Sequence, residues 1–249
     1  MSSTSETGHA KNLSNFEALI TFCSGYGSSY NPSRETLTIA GLKALLAGAK
    51  MSYQLAIITN ESFNKATNDR RVAFKDLKTL STKIVNALAV SGASDLTVNN
   101  ARTINRKLQG TRASAANSKP TPTTDLTAPV PTTKTISSSQ QSFDSIIEHF
   151  SKLIENISQE ATYKPNEIEL KTDTLKANLE LLTNSNTAIM SGYTNWSNAR
   201  IVRNSTLYGP LTGLVPVALA VKQYVKSLYS ASSAQFNQVN GLEFKTRKD

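Results

Sequence analysis

Side chains that could do chemistry are few and widely spaced in this 249-residue chain. The stretch 25–29, GYGSS, resembles part of a phosphate-binding loop, but it lacks a third glycine and a Lys-Ser/Thr pair, and no strand precedes it. It is predicted to end a helix instead. The carboxylates Glu167, Glu169 and Asp173 fall near a predicted helix start, where they offset the helix dipole rather than forming a catalytic pair.

Metal and disulfide chemistry is limited by composition. Cys23 is the only cysteine, and His9 and His149 are the only histidines, so an intramolecular disulfide and a Cys/His metal cluster are both excluded. Cys23 lies on an apolar helical stripe and is predicted to be core, whereas His149 lies off the stripe and is predicted to be solvated. We therefore expect no enzyme, no cofactor and no metal site.

The charge is basic overall and unevenly distributed. The formal net charge is +9, with a pI near 9.6. Residues 1–109 hold 13 basic against 7 acidic residues, whereas 144–180 hold 8 acidic against 4 basic. Such a dipolar chain favours contacts with itself or another protein. Nucleic-acid binding is a weaker alternative, because neither a recognition-helix motif nor an aromatic stacking platform is present.

A Pro/Thr/Ser-rich stretch, 110–142, holds four of the eight prolines and divides the chain. It is too poor in apolar residues to offset its ordering entropy, so a disordered or polyproline-like linker is expected. The predicted organisation is a disordered N-terminus over 1–13, a helical copy over 14–109, the linker, a second copy over 143–244 and a frayed basic tail over 245–249. A capping-box pattern at Ser14 to Glu17 predicts the start of the first helix.

The two predicted copies share a long heptad pattern at an offset of 133 residues. Each pattern follows a Tyr-x-Pro element, at Tyr30 and at Tyr163, whose proline is expected in the first turn of the long helix. Each tyrosine is interpreted as a ring packed at a helix corner, with a ligand-pocket lining as the alternative. The second-copy seam consists of Ile168, Leu175, Leu179, Leu182, Asn186, Ile189, Tyr193, Trp196, Arg200, Arg203 and Leu207.

A 3.5-residue repeat sustained over about five heptads is typical of helices packed side by side. We therefore predict an all-α fold of two tandem copies, each with one heptad-patterned helix of about 40 residues, packed as an elongated bundle. Polar seam residues are candidates for fixing the register between these helices. They are Tyr53, Asn60, Asn186, Tyr193, Arg70 and Arg203, with a tyrosine facing an asparagine at two sites and the arginines in structural roles.

The most apolar stretch is 211–221, for which two interpretations stand. At 11 residues it is too short to span a bilayer and is favoured as a core helix kinked by Pro216. The alternative is a membrane-active or partner-binding segment, since basic residues and tyrosines flank it. Its candidate contact residues are Leu211, Leu214, Val217, Leu219 and Val221.

Several short motifs resemble a family of uncharacterised proteins from Bacteroidota. They are YNP at 30–32, KIVNAL at 83–88, YKPNE at 163–167, SNARI at 197–201 and LYGPLTGLV at 207–215. The resemblance covers nearly the whole chain, and it implies no activity and transfers no functional residue.

The function expected from these patterns is that of a non-enzymatic structural or scaffold protein. It would act through helical packing, with itself or another protein as its partner. A membrane-acting protein is the first alternative and a nucleic-acid-associated protein the second. Without a basic n-region followed by an apolar run, and without a transmembrane stretch, the expected location is the cytoplasm, with leaderless export left open.

Overall fold

The computed structural model describes residues 4–110 and 141–246, and every regular element in these ranges is helical, which confirms the all-α prediction. Three 3₁₀ turns, Gly27–Ser29, Glu35–Leu37 and Ile168–Leu170, accompany the α-helices. The α-helices are α1 Thr4–Gly25, α2 Ile39–Phe74, α3 Leu77–Ala89, α4 Asp95–Gln109, α5 Phe143–Ser158, α6 Thr172–Tyr208, α7 Leu214–Tyr229 and α8 Ala234–Asn240. The predicted linker falls mostly on 111–140, outside the described residues.

The first helix begins ten residues before the predicted cap, so the disordered N-terminus over 1–13 is wrong from Thr4 onward. Ser14 is an exposed residue within α1. His9, Asn12 and Leu13 are buried, and the first two use hydrogen bonds to satisfy their polar atoms. A sequence that looks like a polar tail therefore packs as helix, because its polar side chains find partners elsewhere in the chain.

The long helices are α2, with 36 residues, and α6, with 37, close to the predicted length of about 40. The predicted role of the prolines is wrong: Pro32 and Pro165 each lie seven residues before the long helix, and a 3₁₀ turn intervenes. The tyrosines do pack at these corners. The Tyr30 hydroxyl donates to the Leu37 carbonyl at 2.7 Å, and the Tyr163 hydroxyl donates to the Leu170 carbonyl at 3.0 Å.

The connection into α7 is longer than the one into α3. Residues 209–213 separate α6 from α7, whereas only residues 75 and 76 separate α2 from α3. The predicted turns are confirmed, but buried residues after them match at an offset of 137, as in Leu214 with Leu77 and Val225 with Leu88. Because α7 begins at Leu214, Pro216 lies in its first turn and does not kink it, which corrects the prediction.

The last helices of the two halves have the same type of cap. Ser94 accepts a hydrogen bond from the Thr97 N–H at the start of α4, as predicted, and Ser233 does so from Phe236 at the start of α8. The basic tail is not frayed at Lys245, whose backbone N–H and carbonyl both bond the Asn12 side chain at 2.9 Å.

Two compact units divide the chain, and neither coincides with one predicted copy. The terminal unit comprises Met1–Lys65 and Ser191–Asp249, and the central unit comprises Ala66–Met190. In the terminal unit α1 packs against α7 and α8, whereas in the central unit α5 packs against α3 and α4. Within one chain, each unit therefore combines the first helix of one half with the third and fourth helices of the other.

Each unit has its own apolar core. Phe16, Leu19 and Cys23 of α1 lie in the terminal core together with α7 residues such as Val221. Phe150, Leu153 and Ile157 of α5 occupy the corresponding place in the central core, against residues of α3 and α4 such as Leu88. The offset of 134 between Phe16 and Phe150 is the predicted one, and both rings are fully buried.

Candidate interaction surfaces

The predicted register residues make contacts that differ from the expected tyrosine–asparagine pairs. In the central unit, Asn186 accepts a hydrogen bond from Arg70 at 2.8 Å and donates one to Asp144 at 2.7 Å. The Arg70 guanidinium also lies 3.8 Å from the centre of the Phe143 ring. Asn186 therefore joins α2, α5 and α6 through hydrogen bonds to charged groups, which is a structural role for Arg70.

In the terminal unit, Tyr193 contacts aromatic rings. Its ring centre lies 5.8 Å from that of Phe63, and Trp196 stacks on Phe63 at 5.6 Å with an angle of 12°. Gly192 lies beside this cluster, where an added Cβ would come within 3.3 Å of the Phe63 Cα. The heptad seam is thus aromatic here rather than polar, and Tyr193 itself stays 53% exposed.

The remaining register candidates also lie in the terminal unit. Tyr53 is half-buried against its core and Asn60 is half-buried on α2. Arg203 is buried, and its guanidinium bonds the Asn204 side-chain oxygen at 3.1 and 3.3 Å. A buried arginine hydrogen-bonded on its own helix is consistent with packing of the stem and fixing of the head group.

The apolar segment 211–221 is divided between core and surface. Leu214, Val217 and Val221 are buried in the terminal core, whereas Leu211 and Leu219 are exposed. Leu211 has a positive φ of 63°, and its carbonyl accepts a hydrogen bond from Arg34 at 3.1 Å. Within the described ranges, no helix combines the length and apolar character needed to cross a membrane.

A polar cluster that the sequence did not indicate ties α1 to the end of α6 and to the tail. The Tyr208 hydroxyl lies 2.6 Å from Nδ1 of His9 and also accepts a longer bond from Asn12. Asn12 is fully buried, and its amide is satisfied by Lys245. The only sequence signal for this cluster is the presence of His, Asn and Leu within an otherwise small and polar stretch.

An exposed apolar stripe lies along α2, on the face opposite the heptad seam. We call it the α2 stripe; it comprises Ala40, Ala44, Ala47, Gly48, Met51, Leu55 and Ile58. Met51 is 74% exposed, Leu55 48% and Ile58 53%. The stripe contains no charged residue and extends about 27 Å at about 1.5 Å per residue. Its spacing is visible in the sequence, but the stronger seam pattern conceals it.

The matching face of α6 is polar. At the offset of 133, Met51 corresponds to Asn184, Ile58 to Ser191 and Ala47 to Glu180. The α2 stripe is therefore a feature of one long helix, and its apolar character is not required by the design that the two helices share.

An open groove lies in the central unit between α3 and the segment 162–170. We call it the central groove; its volume is about 640 Å³. Ala87, Val90, Tyr163 and Leu170 supply its apolar surface, and Lys83 and Glu169 form an ion pair at 2.8 Å on its rim. A second cavity of about 410 Å³ shares this ion pair. Burial raises the pKa of Tyr163 to about 12, so its hydroxyl remains a hydrogen-bond donor.

The corresponding position in the terminal unit holds an aromatic ring. Tyr224, which matches Ala87 at the offset of 137, packs edge-on against Tyr30 with ring centres 5.4 Å apart. Tyr30 and Tyr163 make the same hydroxyl contact to a 3₁₀ turn. The central groove is therefore the space that a tyrosine occupies in the other unit.

Reactive chemistry is weakly represented in the described residues. They include no group of three or more His, Cys, Asp or Glu side chains placed to hold a metal ion. Cys23 is buried as predicted, and burial raises the pKa of its thiol to about 12, which disfavours the nucleophilic thiolate.

The prediction of a solvated His149 is wrong. This side chain is 4% exposed, and within the described ranges neither ring nitrogen has a hydrogen-bond partner. Burial and nearby Lys107 lower its pKa, so the neutral imidazole is favoured. No family model, curated protein or solved structure matches this chain.

Proposed function

We propose that this chain is a non-enzymatic helical scaffold that works by self-association, with the α2 stripe as the contact surface. The observation that carries the proposal is a row of exposed apolar side chains without any charge on a helix whose other face already packs. Water-exposed Met51, Leu55 and Ile58 gain free energy when a partner covers them, at about 25 cal/mol per Å² of apolar surface.

A second copy of the chain is the occupant that the stripe fits. Its first half, Ala40 to Gly48, has small side chains, and its second half, Met51 to Ile58, has large ones. In an antiparallel pair related by a two-fold axis, the large residues of each copy lie over the small residues of the other. The ion pair of Lys50 with Glu17 neutralises charge beside the centre of the stripe.

The size of the stripe sets the strength of the contact. A helix pair about 27 Å long buries less than the roughly 1,200 Å² at the lower end of stable interfaces. We therefore expect a reversible dimer whose population rises with protein concentration. Because the contact is apolar, added salt should not dissolve it, in contrast to a head-to-tail contact between acidic 144–180 and the basic regions.

Two finer inferences accompany this proposal. We infer that the halves are copies of one helical unit, supported by the offsets of 133 and 134 and by the matching bonds of Tyr30 and Tyr163. We also infer that the seams of α2 and α6 pack as a coiled coil, supported by the Phe63–Trp196 stack. The burial of Leu214, Val217 and Val221 favours the scaffold over the membrane-acting alternative.

Light scattering over a range of concentrations tests self-association. The wild-type mass should rise from 26.9 kDa toward twice that value. The double variant Met51→Asn with Ile58→Ser, which copies the matching residues of α6, should stay monomeric. Leu96→Ser, at an exposed leucine on α4, is the control and should associate like wild type. A wild-type chain that stays monomeric at millimolar concentration would contradict the proposal.

Cysteine cross-linking tests the antiparallel register. Met51→Cys lies close to the proposed axis, so two copies should form a disulfide-linked dimer under mild oxidation. Ala40→Cys, about 28 Å from its own copy in this arrangement, should not. The native Cys23 is buried and serves as an internal background. Equal cross-linking of both variants would exclude this register.

A further inference from the structure

We propose that the central groove binds an aromatic side chain of a partner polypeptide, seated at Ala87 against Tyr163. The chain itself contains the filled form of this site. In the terminal unit the equivalent of Ala87 is Tyr224, and its ring makes an edge contact with Tyr30, the equivalent of Tyr163.

The surroundings of the two positions are alike. Each tyrosine, Tyr30 and Tyr163, is 7% exposed, and each hydroxyl bonds the carbonyl of the leucine seven residues later. In each unit the third helix packs against the 3₁₀ turn that follows the tyrosine, α7 against Glu35–Leu37 and α3 against Ile168–Leu170. A ring above Ala87 would therefore have the same edge-to-face geometry, which adds to the free energy of burial.

The charges around the groove favour a neutral ring over an ion. Lys83 and Lys164 on its lining are matched by Glu167 and Glu169, and the Lys83–Glu169 pair is already formed. The rim offers hydroxyl groups from Ser91 and Thr162, which lie 3.4 Å apart and are placed to bond a phenol. A tyrosine side chain combines the apolar ring and the hydroxyl that this lining accommodates.

The length of the site indicates a polypeptide rather than a free phenol. The groove of about 640 Å³ continues past the Lys83–Glu169 pair into the cavity of about 410 Å³, next to Leu181 and Asn178. One ring fills only part of this space, so residues flanking the ring would contact the remainder. Pockets that bind ligands commonly have volumes of about 300–1,000 Å³.

Titration of the full chain with N-acetyl-tyrosinamide, followed by amide chemical shifts, tests the site. We expect saturable shifts at Ala87, Ser91 and Tyr163, and none at Tyr30 or Tyr224, where the ring position is filled. N-acetyl-leucinamide should produce at least tenfold weaker binding. Absence of shifts around Ala87, or equal affinity for the leucine amide, would overturn the proposal. Tighter binding of p-cresol than of the tyrosine amide would overturn the polypeptide assignment.

The variant Ala87→Tyr fills the site from within. It should raise the melting temperature by a few degrees and abolish the amide shifts, whereas Ala87→Gln should give no gain in stability. If Ala87→Tyr does not fold, the wild-type titration decides alone, because its contrast between tyrosine and leucine amides needs no variant. A stable Ala87→Tyr protein that still binds N-acetyl-tyrosinamide would contradict the assigned position.

Discussion

The terminal and central units are built from equivalent helices, yet their surfaces differ. In the terminal unit Tyr224 fills the space beside Tyr30, and the longer loop 209–213 is held by Arg34. In the central unit Ala87 and a two-residue turn leave a groove of about 640 Å³. The shared core therefore tolerates large differences at its edge, and these differences are where we expect specific function.

The aromatic contact at the first helix of each unit shows the same contrast in polarity. His9 and Tyr208 lie 5.6 Å apart in the terminal unit, and Phe143 and Phe74, their counterparts at an offset of 134, lie 4.8 Å apart in the central unit. A hydrogen-bonded pair and an apolar pair thus occupy one position of the design. The polar pair requires further partners, which Asn12 helps to supply.

The largest effect expected from this comparison follows deletion of a core ring. Phe16→Ala and Phe150→Ala each remove a fully buried ring and should lower the free energy of unfolding by about 3–5 kcal/mol. Hydrogen exchange should locate the damage across the two halves of the chain. Phe16→Ala should weaken protection in α7 and α8, and Phe150→Ala should weaken it in α3 and α4.

Loss of protection confined to the mutated half would contradict the exchange of helices. In that case Phe16→Ala would affect α3 and α4 and leave α7 and α8 unchanged. A suitable control is Leu96→Ala, an exposed site at which little change in unfolding free energy is expected.

Some of this organisation was predictable from the sequence, and some was not. The seam period and its offset of 133 located α2 and α6, because heptad spacing reports one buried face over many turns. The exchange of first helices was not predictable, since α1 and α5 carry equivalent apolar stripes that fit either partner. Among the described residues, no side-chain pattern distinguishes Phe16 from Phe150 as a partner for Val221 or Ile84.

The interaction surfaces were harder to predict than the fold. Met51, Leu55 and Ile58 have helical spacing, but the sequence alone does not say whether a second apolar face is covered. A helix of 36 residues has room for two apolar faces, and burial of the seam residues shows which of them the fold uses.

The central groove depends on the difference in length between the two turns that follow the long helices. The seam offset of 133 would match Tyr224 with Ser91, whereas the buried residues of α3 and α7 match at 137 and place Tyr224 opposite Ala87. Periodicity within a helix does not record an insertion in the loop before it, so the correct offset is visible only once the helices are packed.

A smaller effect is expected when the terminal unit is made to resemble the central one. Tyr224→Ala removes a half-buried ring and its edge contact with Tyr30, so the free energy of unfolding should fall by about 2 kcal/mol. Urea denaturation measures the loss. The same variant should gain a site for N-acetyl-tyrosinamide beside Tyr30, detected as new amide shifts. A loss of stability without any new binding would show that Tyr30 and Tyr163 are not equivalent sites.

A third difference between the units concerns a titrating group. His149 is buried in the central unit, and its counterpart at the offset of 134 is Asn15, which does not titrate. Burial and Lys107 lower the folded pKa of His149, and Glu148 opposes this effect. The unfolded chain therefore binds the proton of this group first as the pH falls.

The smallest effect follows from this histidine. Because the unfolded state gains the proton first, stability should decrease as the pH drops below about 6.5, the ordinary pKa of histidine. His149→Asn should reduce this decrease while His9 is kept, as measured by urea denaturation at two pH values on either side of that pKa. An unchanged pH dependence in the variant would mean that His149 is not the group that destabilises the central unit in acid.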